Sequence, residues 1–201
     1  MSPAGSLATR RLESASYSTA QTRVLRAALS LFAEHGVGGT SIRMIADAIG
    51  VTKAAIYFQF KTKDDIVLAA ARLGFAKLEW ALEAAEAEKS PARAREFLIR
   101  QVIEISLEQR RVMRALQHDP VMLRVLTEHE PFQQMFQRMQ RLMVGGVLDP
   151  RMRMQVAMLS GAIASGTGHS LVADVDDETV RSALLEFARP ILARLERRGR
   201  R

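Results

Sequence analysis

Apolar residues recur every three or four positions along most of the chain, which predicts an all-α protein. Val24, Ala28, Leu31 and Phe32 form the first such face, and Gly36 follows where a helix is expected to end. The pattern predicts helices over residues 22–35, 40–48, 52–58, 62–87, 91–108, 110–117, 121–145 with a break near 131, 150–167 and 177–197. Residues 1–19 are rich in Ser, Ala and Thr without periodicity, so we interpret them as a flexible arm.

Two short amphipathic segments within residues 40–60 meet at Gly50, which is the pattern of a helix-turn-helix. The first segment has a buried face that includes the small Ala46, and Gly50 can adopt the positive φ that such a turn needs. Ile56 and Phe60 are expected to anchor the second segment. Its outward side chains, which are the candidates to enter a major groove, are Thr52, Lys53, Ala54, Ala55, Tyr57, Phe58 and Gln59.

The positive charge is concentrated at the two ends of the chain. The formal charge is +7, of which residues 1–63 contribute +5 and residues 190–201 contribute +4, while the body between them carries −2. This distribution favours contact between the N-terminal segment and a polyanion. The C-terminal arginines are more typical of a tail that aids solubility.

Several other classes of protein and site are disfavoured by composition and motif. The chain has no cysteine, which excludes disulfides, zinc–cysteine sites and thiol nucleophiles. No apolar run is long enough for a signal peptide or a membrane span, so a cytoplasmic location without a membrane partner is expected. Catalytic and nucleotide-binding motifs are missing, so we expect no enzymatic activity and no cofactor. His118, Asp119, His129 and Glu130 lack a recognised metal spacing, so no metal site is expected.

The segment TRVLRAALSLFAEHGVGGTSIRMIADAIGVTKAAIYFQFKTKDDIV resembles the DNA-binding domain of the TetR family of bacterial regulators. It carries that family's Ala-x-x-Leu-Phe-x-x-x-Gly, Thr-[Ser/Thr], Ile-Ala, Gly-Val, Tyr-x-x-Phe and Lys-x-[Asp/Glu] motifs in register. The resemblance covers about a quarter of the chain. Residues 64–201 also have the length and helical character of the family's variable C-terminal domain.

The resemblance implies contacts to DNA at matching positions. It implies that Ser41, Tyr57 and Lys63 touch phosphate and that Arg43 reaches a base or the backbone. The groove-facing residues that it implies are Thr52, Lys53, Ala54 and Ala55. Thr40, expected to cap a helix together with Ser41, is included in the DNA-contacting set. The family often has His or Tyr where this chain has Gln59, so the contact made there is left open.

Small and apolar residues near the C-terminus predict an association surface. Ala157, Gly161 and Ser165 lie four positions apart, and such residues let another helix approach closely. The final helix has two apolar stripes, so one can face the core and the other a second subunit. The interface candidates on that helix are Leu184, Phe187, Ala188, Ile191 and Leu195. The resemblance favours a homodimer, and two buried helices of a monomer are the alternative.

The middle helices carry candidates for a ligand pocket, which the resemblance implies between the DNA-binding and dimerisation regions. The candidates are Trp80, Phe97, Met113, Leu116, His118, Phe132, Met135, Phe136, Met139 and Met143. Flexible methionines can line an adaptable apolar cavity. Met and aromatic residues at helical spacing are also typical of an ordinary core.

The sequence therefore predicts an arm (1–19), a helix-turn-helix domain (20–65) and a helical ligand-binding and dimerisation domain (66–201). The function that it favours is a sequence-specific repressor, released from a palindromic operator on double-stranded DNA by a small, largely apolar effector. A transcriptional activator and a nucleoid-type protein that binds DNA without sequence preference are the alternatives.

Overall fold

The computed structural model describes residues 17–110, 119–145 and 150–199, and within these ranges the chain is helical without a strand. The α-helices are α1 (Thr19–Gly39), α2 (Ile42–Ala48), α3 (Lys53–Gln59), α4 (Lys63–Glu86), α5 (Pro91–Glu108), α6 (Pro120–Glu128), α7 (Glu130–Val144), α8 (Pro150–Gly166) and α9 (Asp177–Gly199). A short 3-10 helix, Ser170–Val172, lies between α8 and α9. The all-α fold class is thus confirmed.

The chain divides into two compact units. The first comprises residues 17–77 and 119–129, and the second comprises residues 78–110, 130–145 and 150–199. Helix α4 begins in the first unit and ends in the second. The boundary between the units therefore differs from the one predicted at residue 65, since the first half of α4 and all of α6 belong with the N-terminal helices.

In the first unit, α1 packs against α2, α3 and α6 around a core of aliphatic and aromatic side chains. Leu25, Phe32, Ile45, Ile56 and Ile66 are fully buried in this core. Removing such side chains from water is the main favourable contribution to folding, at about 1.5–3 kcal/mol each.

A break in α1 shapes this unit. Gly36 has φ +70° and ψ 164°, so the helical path is interrupted there before residues 37–39 resume it. The sequence pattern predicted the helix end at Gly36 for the correct reason, since glycine tolerates positive φ. The pattern did not predict the extra turn that follows.

In the second unit, α5 packs against α7, α8 and α9. Its core includes Leu98, Ile103, Leu159 and Ile163, each at most 1% exposed. Arg110 stabilises the segment before α9, because its guanidinium donates to the carbonyl oxygens of Thr167, Val172 and Val175 and pairs with Asp177.

The predicted helix boundaries agree with the structure to within a few residues where both can be compared. The predicted cap of α4 is present, since Asp65 N donates to Thr62 Oγ1 over 3.1 Å and Thr62 N to Asp65 Oδ2 over 2.9 Å. Asp176 caps the last helix by accepting from Thr179 N. Residues 1–16 of the predicted arm and 111–117 of the predicted helix lie outside the described residues. None of the described helices is both long and apolar enough to cross a bilayer.

Candidate nucleic-acid interface

The turn between α2 and α3 is closed by glycine geometry. Gly50 has φ +67°, a conformation that side chains disfavour. Its amide donates to the carbonyl of Asp47 over 3.2 Å, and Val51 N donates to Ala46 O over 3.0 Å. These bonds satisfy the last carbonyls of α2 and reverse the chain into α3.

Both short helices begin at a side-chain cap. Ser41 Oγ accepts from Met44 N over 3.2 Å, and Thr52 Oγ1 accepts from Ala55 N over 3.2 Å. The predicted caps Ser41 and Thr52 are therefore confirmed. No acidic residue lies in the first turn of α3, so this end of the helix carries no negative side chain.

Helix α3 is held to the unit by one fully buried side chain and presents the rest outward. Ile56 is completely buried against α1 and α2, while Tyr57 is 44% exposed and Phe58 is 88% exposed. The exposed residues of α3 and its cap, which we call the recognition surface, are Thr52, Lys53, Ala54, Ala55, Tyr57 and Phe58. All six were predicted to face outward from the sequence. Gln59 is only partly exposed.

Positive side chains lie on and beside this surface. Lys53 Nζ is 5.6 Å from the centroid of the Tyr57 ring one turn later, a cation–π distance. Arg43 pairs with Asp47 over 3.7 Å, with 84% and 70% of the two side chains exposed. Because both side chains are so exposed, this ion pair contributes little to stability. The Arg43 guanidinium is therefore available to a polyanion. Lys63, at the start of α4, is partly exposed.

Thr40 does not belong to this surface, contrary to the prediction. Its side chain is 1% exposed, and its hydroxyl donates to the carbonyl of Gly36 over 2.9 Å. It is the C-cap of α1 and not the N-cap of α2. Because the hydroxyl is turned inward to satisfy the break in α1, it is not available to DNA.

Two residues that position the interface make long-range contacts for which the sequence carries no signal. Asp119 accepts from Val37 N, just after the break in α1, over 2.8 Å, and from the first amides of α6. Arg23 on α1 donates to the carbonyl of Ile49, at the end of α2, over 3.3 Å. Each contact joins positions far apart in the chain, which periodicity cannot detect.

Three of the ten predicted pocket residues belong to the core of the second unit. Phe132, Met135 and Met143 are buried, and the Trp80 and Phe97 rings meet edge to face with centroids 6.3 Å apart. Phe136 and Met139 are partly exposed, and Met113, Leu116 and His118 lie outside the described residues. An open groove of about 630 Å³ occurs at the ends of α4, α5, α7 and α9, and none of the predicted pocket residues lines it. The ordinary-core alternative therefore accounts for Phe132, Met135 and Met143.

The predicted dimer residues separate into two groups. On α8, Ala157, Gly161 and Ser165 are exposed, as an association surface requires. Met154 and Met158 on the same helix are 61% and 58% exposed, and Phe187 on α9 is 45% exposed. The remaining candidates on α9 are buried within the unit, which corrects the prediction for Leu184, Ala188, Ile191 and Leu195. Their stripe is the one that faces the core.

The chain is similar to known proteins in two respects, the sequence of part of its first unit and its fold. Residues 24–70 match the family model described as bacterial regulatory proteins, tetR family. The HTH-type transcriptional regulator AcrR of Shigella flexneri is 51% identical over 43 residues, which span 21% of this chain and 20% of that protein. The chain thus aligns with about a fifth of this curated relative.

Two solved structures illustrate the likeness in fold. The fatty acid degradation regulator FadR from Bacillus halodurans superposes with a TM-score of 0.64 at 14% identity, over 88% of this chain and 96% of that one. NalD of Pseudomonas aeruginosa, the secondary repressor of the MexAB-OprM efflux pump, superposes with a TM-score of 0.64 at 23% identity, over 87% and 95% of the two chains.

The capped helices, the glycine turn and the exposed α3 define a helix-turn-helix DNA-binding domain. The family match over residues 24–70 makes this domain similar in sequence to the tetR family of bacterial regulatory proteins, and the likeness in fold to solved regulators extends over most of the chain.

Proposed function

We propose that this regulator binds a palindromic operator as a homodimer, places α3 of each subunit in a major groove, and acts as a repressor that a small molecule releases. The recognition surface is the observation that carries the proposal. Six neighbouring residues on a helix anchored by Ile56 are exposed, and apart from the Thr52 cap their side chains are not part of the core of the first unit. They include an amine, a phenol and a hydroxyl, which are the groups that read base edges and phosphates.

Individual contacts follow from where the groups lie. Lys53 and Arg43 are the proposed base contacts, and a good bidentate pair is worth about 1–3 kcal/mol of discrimination. Ser41, Tyr57 and Lys63 are proposed to contact phosphate. Lys53 lies over the Tyr57 ring in the free protein, so its amine is already oriented on the outer side of α3.

The exposed apolar face of α8 and α9 supports the proposed dimer. Met154 and Met158 lie one turn apart, and Ala157 and Gly161 beside them leave space for a second helix. Contiguous exposed apolar surface of this kind is typical of an interaction site. A second copy of the chain is the proposed occupant, because a two-fold dimer matches a palindrome.

Ligand control is proposed to act through α4. This helix contributes to both units, so it connects the DNA-binding unit covalently to the helical one. An effector can change operator affinity only by binding the two conformations of the dimer with different affinity. We expect it to favour a conformation in which the two recognition helices no longer match the spacing of the half-sites.

The first experiment is selection of binding sites from a random duplex pool at near-physiological salt, followed by affinity measurement on the enriched site. We expect a palindrome whose affinity falls about 5-fold to 150-fold in Lys53→Ala, the equivalent of about 1–3 kcal/mol. Tyr57→Phe, which keeps the ring and removes the hydroxyl, should weaken binding to all sequences alike. Lys89→Ala is the matched control, since this exposed lysine lies in the second unit.

Two results would contradict this part of the proposal. Uniform, salt-sensitive binding without an enriched motif indicates a nucleoid-type protein instead. Equal loss of affinity in Lys53→Ala and Lys89→Ala indicates that α3 is not the reading helix.

The dimer is tested by light scattering on Met158→Asp, which puts a charge into the exposed face. The variant should be monomeric, while Leu123→Asp, at a 44% exposed apolar position in the first unit, should remain dimeric. A wild-type protein that is monomeric at the concentration used for operator binding, with full affinity, would contradict the proposed assembly.

A further inference from the structure

The second unit buries one arginine side chain, whereas its other described arginines are exposed or form ion pairs. Arg95 on α5 is 7% exposed and lines the groove at the ends of α4, α5, α7 and α9. Its Nε donates to the carbonyl of Leu142, near the end of α7, over 3.1 Å. This bond fixes the plane of the guanidinium and points its terminal nitrogens past Gly145.

The terminal nitrogens of Arg95 have no hydrogen-bond or ion-pair partner among the described residues. Burial lowers the pKa of Arg95, and the negative charge of Glu196 partly offsets this by raising it. Glu196 lies beyond ion-pair distance of the guanidinium. Burying a charge without a partner is costly, and buried cations in proteins are normally paired. The terminal N–H groups of this buried guanidinium are therefore available to an anionic group.

The absence of a side chain at Gly145 lets the guanidinium of Arg95 lie close to the backbone at the end of α7. Its φ is +64°, and a Cβ at this position would lie 2.5 Å from Arg95 Nη2. Any side chain here would collide with the guanidinium. The glycine thus serves both the end of α7 and the placement of the arginine.

The other charges of the groove limit the ligand to a single negative charge. Arg138 is already neutralised, since its Nε and Nη2 hold both carboxylate oxygens of Glu86 over 3.1 and 2.6 Å. The lining contains three arginines and three glutamates, so its formal charge is zero before a ligand binds. A monoanion pairs with Arg95 without strong repulsion from Glu196, whereas a dianion such as a phosphate monoester is disfavoured.

We propose that Arg95 is the anchor for a carboxylate group of the effector, which it holds through its two terminal nitrogens. A guanidinium matches a carboxylate with two parallel hydrogen bonds, stronger than those between neutral groups. Ala85, Ala94 and Leu142 in the lining provide apolar contacts for an apolar body behind the carboxylate. This inference rests on the proposed ligand response, because it names the chemical class of the effector. It adds one charged group to the small, largely apolar effector expected from the sequence.

The experiment uses the full-length protein and small probes at constant ionic strength. Acetate is titrated against chloride while the Nε–Hε resonance of Arg95, protected by its bond to Leu142, is followed by NMR. We expect a saturable shift with acetate and none with acetamide, which has the same shape without the charge. Inorganic phosphate should bind at least tenfold more weakly than acetate.

Variants separate the site from general effects of charge. Arg95→Met should abolish the acetate response, measured at the Gly145 amide, and Arg95→Lys should weaken it while keeping the fold, in case the methionine variant does not fold. Arg93→Met is the matched control, since Arg93 is exposed on the same helix and does not line the groove. It should respond as wild type does.

The outcomes distinguish this inference from the proposed function. A response to acetamide equal to that with acetate, tighter binding of phosphate, or an unchanged acetate response in Arg95→Lys overturns the carboxylate anchor. Operator affinity is measured separately with octanoate and octanamide, and release by octanoate alone supports both proposals. Saturable acetate binding in a protein that selects no operator keeps the anion site and refutes the proposed function.

Discussion

Replacing Asp119 with alanine removes one carboxylate that joins two helices of the first unit. Its Oδ1 accepts from Val121 N and Met122 N over 2.9 and 3.0 Å, which caps α6. Its Oδ2 accepts from Val37 N over 2.8 Å, immediately after the break in α1. The variant leaves these amides, two of them at a helix start, without their acceptor.

The magnitude follows from these two roles. Loss of an N-cap costs about 0.5–2 kcal/mol. A hydrogen bond to a charged group contributes about 1.5–3 kcal/mol. Because both roles belong to one side chain, we expect Asp119→Ala to lower the free energy of unfolding of the first unit by about 2–4 kcal/mol.

Native-state hydrogen exchange is the appropriate assay, because it reports each unit separately. Core amides such as that of Ile45 report the stability of the unit, and the Val37 amide reports the local contact. Thr62→Ala is the matched control, since it removes a cap in the same unit that has no tertiary partner. It should cost about 1 kcal/mol. If Asp119→Ala lowers the free energy of unfolding no more than Thr62→Ala does, and the Val37 amide stays protected from exchange, the hydrogen bond between α1 and Asp119 contributes nothing and the reasoning is wrong.

Three further predictions concern single contacts. Gly50→Ala should destabilise the first unit by about 1–2 kcal/mol in the same assay, because φ is +67° and its new Cβ meets no neighbour, so that only backbone strain is added; a neutral result would indicate that the turn changes conformation. Arg110→Met should raise the exchange rate of the Val172 amide strongly while leaving the Ile45 amide unchanged, because three carbonyl oxygens lose a charged donor; equal effects in both units would contradict this. Glu86→Gln should lower stability by at most about 1 kcal/mol at neutral pH, since the pair with Arg138 is partly exposed. The hydrogen bond from Arg138 lowers the pKa of Glu86 below its ordinary 4.5. The stability contributed by the ion pair is therefore present above pH 4.5 and is lost as the pH falls through the lowered pKa of the folded state. A difference in stability between Glu86→Gln and wild type that persists in strong acid would show that it does not come from this ion pair.

The helix-turn-helix could be predicted from sequence because its determinants are local. Gly50 needs a conformation that few other residues adopt, and Ser41 and Thr52 cap helices that begin at the next residue. Ile56 is the aliphatic residue with a large side chain in this short helix, which favours its burial over that of its neighbours. Spacing along the chain specifies all of these.

Contacts between distant parts of the chain were beyond sequence reasoning. Thr40 looked like a helix start, and only its bond to Gly36 shows that it ends the preceding helix. The final helix has two apolar stripes, and periodicity cannot say which one faces the core. Packing places Leu184, Ile191 and Leu195 inside and leaves Phe187 outside. Arg95 carries the same charge as its exposed neighbours, so its burial was not visible in the sequence.

The way α3 is anchored has a consequence for how DNA-binding domains of this kind diversify. Because the buried Ile56 and Phe60 hold the helix, exchange of the exposed Lys53, Ala54 or Ala55 should change stability by no more than about 0.5 kcal/mol, as is usual at surface positions. Operator preference can therefore drift after gene duplication without passing through an unfolded intermediate. A library randomised at these three positions should retain mostly folded members. Helix α3 is therefore a suitable starting point for evolving variants that prefer different operators.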